Sequence, residues 1–130
     1  MLIGEVARRS EISAKTLRYY EDVGLLDPPA RSASGYRHYD DTVLDRLAFI
    51  RSAQALGLSL GEIRGIVGLR DNGETPCGHV LDLLRARAND IDRTIRDLTA
   101  LQAELHRLVD RAETLDAATC SPRRVCHLIG

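Results

Sequence analysis

A heptad repeat of apolar residues occupies the second half of the chain and restricts its fold more than any other feature. No proline or glycine interrupts residues 80–112. The two core positions of the repeat hold Leu81, Ala88, Ile95, Gln102 and Val109 in one series and Leu84, Ile91, Leu98, Leu105 and Ala112 in the other. A pattern sustained over about five heptads predicts one long helix whose apolar stripe packs in a coiled coil.

The apolar stripe requires a partner helix. A helix over residues 77–112 would be roughly 50 Å long at about 1.5 Å per residue, too long to be covered by residues 1–70, which we call the head. The economical partner is a second copy of the chain, which predicts a homodimer with an antiparallel coiled coil, although spacing alone does not set the direction. Gln102, polar at a core position, is expected to help fix the register.

The chain therefore divides into four predicted parts. The head (1–70) is a folded domain, residues 71–76 (DNGETP) are a linker, residues 77–112 are the dimerisation helix, and residues 113–130 are a short irregular tail. Aromatic residues make up only 4% of the chain and there is no tryptophan, so the core must be built mainly from aliphatic side chains, which favours helices over sheets. We expect a mostly α fold.

Charge and hydropathy limit the classes of partner. The net charge is −1, so the chain lacks the overall positive charge that is typical of many nucleic-acid-binding proteins. Any contact with DNA must therefore use a local group of basic residues. The N-terminus lacks the apolar core of a secretion signal, and no stretch approaches the roughly 20 apolar residues of a membrane span. We expect a cytoplasmic protein without a membrane partner.

Two short helices joined by a tight turn are predicted at the start of the head. Apolar residues from Ile3 onward have helical spacing, and Ser13 is a good N-cap for a second helix over Ala14–Val23 that ends at Gly24. This second helix is expected to bury Leu17 and Tyr20 and to expose Lys15, Arg18 and Tyr19. The arrangement is typical of a helix-turn-helix whose second helix enters the major groove.

A hairpin, which we call the wing, is predicted at residues 31–39 (RSASGYRHY), after two prolines. Arg31, Tyr36 and Arg37 are its candidate DNA contacts, Tyr39 is expected to pack beneath it, and His38 is left without a role.

Two further helices are predicted to complete the head. Asp40 or Asp41 can cap a third helix that runs to about Ala55. Ser59 and Glu62 have the spacing of a capping box for a fourth helix.

The strings IGEVARRSEISAKTLRYYEDVGLL, SGYRHYDDTVLDRLAFI and LGLSLGEI, within residues 2–70, resemble the MerR family of transcriptional regulators. The most specific phrases are TLRYYEDVGLL at 16–26 and GYRHYD at 35–40. The resemblance implies a winged helix-turn-helix homodimer, not an enzyme, that binds promoter double-stranded DNA. When an effector binds, such a homodimer distorts the promoter DNA. RNA polymerase can then use the promoter, and transcription is activated. The implied DNA-binding residues are Lys15, Thr16, Arg18, Tyr19, Arg31, Tyr36 and Arg37.

Three cysteines, an odd number, do not suit a disulfide framework in a reducing compartment. Cys77, just after Pro76, lies where a helix N-terminus would stabilise a thiolate, but taken alone it is better explained as a small buried apolar side chain. Cys120 and Cys126 lie in the tail, where apolar context is sparse. An antiparallel dimer would bring Cys77 near Cys120 and Cys126 of the partner subunit.

Metal-responsive MerR proteins have one cysteine at the start of the dimerisation helix and two in a following loop. The resemblance therefore implies a metal site at Cys77, Cys120 and Cys126, with the tail as the effector-binding loop. Members that sense monovalent copper, silver or gold carry serine where Cys77 stands, so the implied effector is a thiophilic divalent ion: Hg(II), Pb(II), Cd(II) or Zn(II). Zn(II) usually takes four ligands, and His79 or His127 could supply the fourth.

Two alternatives remain open at this stage. A regulator of the same family could respond to oxidation of its thiols or to an organic ligand. Members that bind organic cations usually carry a larger C-terminal domain with aromatic residues, and this chain has no aromatic residue after Ala112. No phosphate-binding loop, nucleotide fingerprint or catalytic motif is present, which argues against an enzyme.

Overall fold

The computed structural model describes residues 1–115, 118 and 121–129 of the chain. Within these residues it contains a short β-hairpin and the helices α1 (Ile3–Ser10), α2 (Ala14–Asp22), α3 (Thr42–Ala55), α4 (Leu60–Asp71) and α5 (Cys77–Thr114). The chain forms two compact units, residues 1–84 and 85–130. The prediction of a mostly α fold is confirmed.

The helix-turn-helix forms where the local signals predict it. Ser13 is the N-cap of α2, and its Oγ accepts a hydrogen bond of 3.1 Å from the backbone N–H of Thr16. Helix α2 ends at Asp22, one residue before the predicted end, because Val23 already leaves the helical geometry as the C-cap. Gly24 follows with φ +82°, a left-handed conformation that glycine adopts without a steric penalty.

The wing is built on strands β1 (Ala30–Arg31) and β2 (Arg37–His38), which pair antiparallel with Arg31 opposite Arg37. The chain before α1 pairs with the other edge of β2, because Leu2 bridges His38 and the N–H of Tyr39 donates to the carbonyl of Met1 at 2.7 Å. Strand β2 is thus paired with β1 on one edge and with the start of the chain on the other.

The head buries its core between its four helices. Its largest fully buried side chains are Val6, Leu17, Leu25, Leu47, Ile50 and Ile63. The predicted inward face of α2, Leu17 and Tyr20, is confirmed. Val80 and Leu83, in the first turns of α5, pack against this core and are partly buried.

The capping box of α4 is present as predicted. The backbone N–H of Glu62 donates to Ser59 Oγ at 3.1 Å, and the N–H of Ser59 donates to Glu62 Oε1 at 2.9 Å. At α3 the cap differs in detail: Asp41 is the N-cap residue without a side-chain bond, and Asp40 Oδ1 instead accepts from the N–H of Thr42 at 3.2 Å.

Ser59→Ala is expected to lower the free energy of unfolding by about 1 kcal/mol, because the first turn of α4 loses a side-chain acceptor. Chemical denaturation followed by circular dichroism measures this difference. Ser52→Ala, an exposed change inside α3, serves as the control and should leave stability almost unchanged. Equal losses in the two variants would contradict a stabilising role of the capping box.

Helix α5 continues to Thr114, beyond the predicted end at residue 112. The apolar stripe is exposed in the single chain: Ile91, Ile95, Leu98, Leu105 and Val109 each keep more than half of their surface accessible. Large apolar side chains at heptad spacing rarely stay exposed to water along a helix of this length, so the stripe is available for pairing. No helix in the described part of the chain is both long and apolar enough to cross a membrane.

Candidate DNA interface and metal-binding residues

The outer face of α2 presents the predicted contact residues to solvent. Lys15 and Arg18 are exposed and form no ion pair within the described residues. Tyr19 is 51% exposed, and its ring lies 6.4 Å from the ring of the buried Tyr20. Two unpaired cations and a phenol on one helix face can contact phosphates and guanine edges.

Thr16 is placed differently from its neighbours. It is half-buried, and its Oγ1 accepts a hydrogen bond of 3.0 Å from the Oγ of Ser13. The Thr16 hydroxyl is therefore part of the N-terminal cap of α2. It can still donate its own proton to an acceptor on DNA.

In the wing, Tyr36 lies just before β2 and is 65% exposed. Arg31 is also exposed, and its Nη1 donates to the carbonyl of Gly35 at 3.2 Å across the hairpin turn. Arg31 thus stabilises the turn and keeps its remaining guanidinium donors free for phosphate.

Arg37 is less accessible than predicted for a DNA contact. Its side chain is 28% exposed, and its Nε lies 3.4 Å from Glu21 Oε2. The Tyr39 hydroxyl donates to the other oxygen of the same carboxylate. Sequence reasoning missed Glu21, although its spacing of three residues from Arg18 places both on one face of α2.

The position of Tyr39 beneath the wing is confirmed, because only 6% of its surface is accessible. Burial, followed by the hydrogen bond to Glu21 and the charge of that carboxylate, raises the pKa of Tyr39 to about 12. The charges of Arg37 and Arg18 act on this pKa in the opposite direction. Tyr39 therefore stays protonated and remains a hydrogen-bond donor at neutral pH.

His38, which had no predicted role, is exposed and lines a cavity of about 710 Å³ between the head and the linker. Leu26, Val43, Phe49 and Pro76 also line this cavity. Its volume suits a small organic ligand, so the organic-ligand alternative keeps a structural basis.

Two of the three predicted thiol ligands fall within the described residues. Cys77 is the first residue of α5, Cys126 lies in the tail, and both are exposed free thiols. Cys120 lies outside the described residues. Within the described part of one chain, no group of three or more His, Cys, Asp or Glu side chains is arranged to hold a metal ion.

The two candidate histidine ligands differ in their surroundings. His79 Nε2 would lie 3.8 Å from a Cβ built on Gly65, so its ring packs over the backbone of α4. Residues two apart on a helix point in different directions, so His79 is turned away from Cys77. His127 follows Cys126, and its Nδ1 is buried without a hydrogen-bond partner in the described residues. The Nδ1 of His127 is therefore a candidate metal ligand.

The tail forms a turn between the two positions of its cysteines. The backbone N–H of Arg124 donates to the carbonyl of Ser121 at 3.2 Å, with Pro122 at the second position of the turn. Proline is favoured there because its ring sets φ near the value that the turn needs. Pro122 thus favours the turn that precedes Cys126.

Comparison with protein families identifies the chain. Residues 1–68 match the family described as MerR HTH family regulatory protein, and residues 44–108 match the one described as MerR, DNA binding. The chain belongs to the MerR family. As predicted, it is a DNA-binding transcriptional regulator and not an enzyme.

Relatives within the MerR family match almost the whole chain. It is 38% identical to the HTH-type transcriptional regulator HmrR of Rhizobium leguminosarum bv. viciae, over 92% of each chain. It is 38% identical to the mercuric resistance operon regulatory protein of Bacillus cereus, over 91% of this chain and 90% of that one. The chain also aligns with the crystal structure of the transcription regulator PbrR691 from Ralstonia metallidurans CH34 in complex with lead(II). The TM-score is 0.76 and the sequence identity 37%, and the alignment covers 99% of this chain and 96% of that one.

Proposed function

We propose that this MerR-family chain is a homodimeric, metal-responsive regulator that activates transcription by distorting promoter DNA when a thiophilic divalent ion binds. The observation that carries the proposal is the exposed thiol of Cys77 at the first residue of α5, directly after the linker that follows the four-helix head. A thiol at this junction lies within a few residues of Val80 and Leu83, which pack against the head. An ion held there can therefore act on the DNA-binding unit. Relatives named for mercury resistance and crystallised with lead support this class of effector.

The DNA contacts are assigned to the face of α2 and to the wing. Lys15, Arg18 and Tyr19 would contact the major groove and its phosphates, and Arg31 and Tyr36 the adjacent backbone. Two heads in a dimer read two half-sites, so promoter DNA of approximate two-fold symmetry is the expected partner. Distortion of such a site costs a few kcal/mol, which metal binding helps to supply, and RNA polymerase then uses the altered promoter.

The metal site is assigned to Cys77 of one subunit together with Cys120 and Cys126 of the partner subunit. Antiparallel pairing of α5 with a second copy would bring the first residue of one α5 near the tail of the other, which favours ligands contributed by two subunits. Three thiolates suit Hg(II), Pb(II) and Cd(II), whereas Zn(II) prefers a fourth ligand, for which the unpartnered Nδ1 of His127 is the better candidate. A bound ion would supply a soft cation that links the two chains.

Arg18→Ala is expected to weaken DNA binding about tenfold or more while leaving the dimer intact, because one direct contact of Arg to base or phosphate is lost. Fluorescence anisotropy with a duplex that the wild-type protein selects from a random-sequence library measures the affinity. Sedimentation velocity checks the dimer. Arg96→Ala, which removes another exposed arginine, on α5 and without an ion pair among the described residues, is the control. Equal affinities of the two variants would contradict the assignment of α2 as the recognition helix.

Thiol oxidation is the second candidate signal, because Cys77 and Cys126 are both exposed and free. Exposed thiolates are the ones that oxidants reach. If the reduced dimer binds none of the four ions but changes its DNA affinity after peroxide treatment, this second function is the correct one.

A further inference from the structure

We propose that Glu21 and Tyr39 lock the wing onto the recognition helix α2, and that this lock sets the separation between the two groups of DNA contacts. The inference rests on the proposed DNA interface and deepens it by assigning positioning residues. Neither residue is among the predicted DNA contacts.

The lock consists of one carboxylate that uses both of its oxygens. Glu21 Oε1 accepts a hydrogen bond from the Tyr39 hydroxyl, and Glu21 Oε2 lies 3.4 Å from Arg37 Nε. Arg37 and Tyr39 are two residues apart along an extended chain, so their side chains leave it on the same face, towards α2. The Glu21 side chain is only 9% exposed, so water competes little for these bonds.

The wing needs such an anchor because its own hairpin is short. Each strand has two residues, and a two-stranded hairpin of this size is marginally stable alone. Backbone contacts with Leu2 and Met1 hold one edge of β2. They do not determine the angle between the wing and α2. Bonds from Glu21 to two side chains of the wing restrain that tilt.

The lock also explains an acidic residue beside a surface that contacts DNA. An unpaired carboxylate one helical turn from Arg18 would repel phosphate, whereas Glu21 is paired with Arg37 and accepts a hydrogen bond from Tyr39. Arg37 thereby acts as a positioning residue in addition to its predicted role as a phosphate contact. Tyr36, adjacent to Arg37, is the DNA-contact candidate whose position the lock determines.

Tyr39→Phe tests the lock, with Tyr20→Phe as the matched control. Both tyrosines are 6% exposed, and Tyr20 donates only a 3.4 Å bond to Gln54, away from the wing. Using the duplex that the wild-type protein selects from a random-sequence library, we expect Tyr39→Phe to weaken binding about tenfold and Tyr20→Phe to leave it unchanged. Hydroxyl-radical footprinting should show lost protection at the phosphates next to the wing and retained protection under α2.

A double-mutant cycle with Tyr36→Ala separates positioning from general destabilisation. We expect Tyr36→Ala to cost little further affinity in the Tyr39→Phe background, because the wing is already displaced. Additive losses, or equal affinities of Tyr39→Phe and Tyr20→Phe, would overturn the lock.

If Tyr39→Phe melts below the assay temperature, Glu21→Gln replaces it, since the amide keeps an acceptor for Tyr39 but loses the charge that holds Arg37. The ratio of affinities for selected and scrambled duplexes should then fall, and an unchanged ratio would reject the lock. A wild-type protein that selects no duplex would instead refute the proposed function itself.

Discussion

Replacing Cys77 by serine is expected to weaken Hg(II) binding to the reduced dimer by about three orders of magnitude or more. Apparent binding energies of structural four-ligand zinc sites run to about 10–16 kcal/mol, so loss of one of three thiolates removes several kcal/mol. Titration of the metal-free dimer, followed by thiolate-to-metal absorption in competition with Pb(II), Cd(II) and Zn(II), measures the loss and ranks the ions. Wild-type protein should bind one ion per subunit.

His79→Ala is the control for this titration. His79 lies two residues from Cys77 but packs over Gly65, so its removal should leave Hg(II) affinity within a few-fold of the wild type. A Cys77→Ser variant that binds as tightly as His79→Ala would remove Cys77 from the site. Wild-type protein without any thiol-dependent binding would refute metal sensing and leave a MerR-family regulator with a different signal.

Mixed dimers decide whether two subunits share the site. A dimer of one Cys77→Ser chain and one Cys126→Ser chain keeps one complete shared site, formed by Cys77 of the second chain and Cys126 of the first. Such a dimer should bind one ion tightly, whereas either homodimer variant binds none with comparable affinity. If each site lay within one chain, both sites of the mixed dimer would be defective. Tight binding of one ion therefore supports the shared site, and its loss contradicts sharing.

Leu98→Asp is expected to convert the dimer to monomers at micromolar concentration. Leu98 lies in the apolar stripe and is 59% exposed in the single chain, so a partner helix would bury it. Burying an unpaired carboxylate in each of the two helices costs several kcal/mol, enough to dissociate a coiled coil of this length. Sedimentation velocity should show the monomer, and circular dichroism should show less helix, because most of the stability of a helix in a protein comes from the packing of its apolar face.

Ala100→Asp is the matched control, because it introduces the same charge two residues away, outside both heptad core positions. It should remain a dimer with wild-type DNA affinity, whereas Leu98→Asp should also lose tight DNA binding, since one head contacts only one half-site. A dimeric Leu98→Asp variant would show that the stripe is not the dimer interface.

Local pattern alone predicted most of the head. Helix α2 begins at its Ser13 cap, and α4 begins with the Ser59–Glu62 capping box, because these signals depend on neighbours within four residues. Helical periodicity likewise predicted which face of α2 points outward, because it also depends only on residues close in sequence. The continuous heptad likewise predicted α5, with an error of two residues at its end.

The sequence by itself therefore determined which segments are helical, which faces are apolar, and where the thiols and the candidate DNA contacts stand along the chain. Only the tertiary structure decided that Glu21 contacts Tyr39, that Arg37 lies beside the same carboxylate, and that His79 lies over Gly65. These contacts join residues 14 to 18 positions apart. No local propensity encodes such pairings, because they depend on the angles at which the wing and the helices pack.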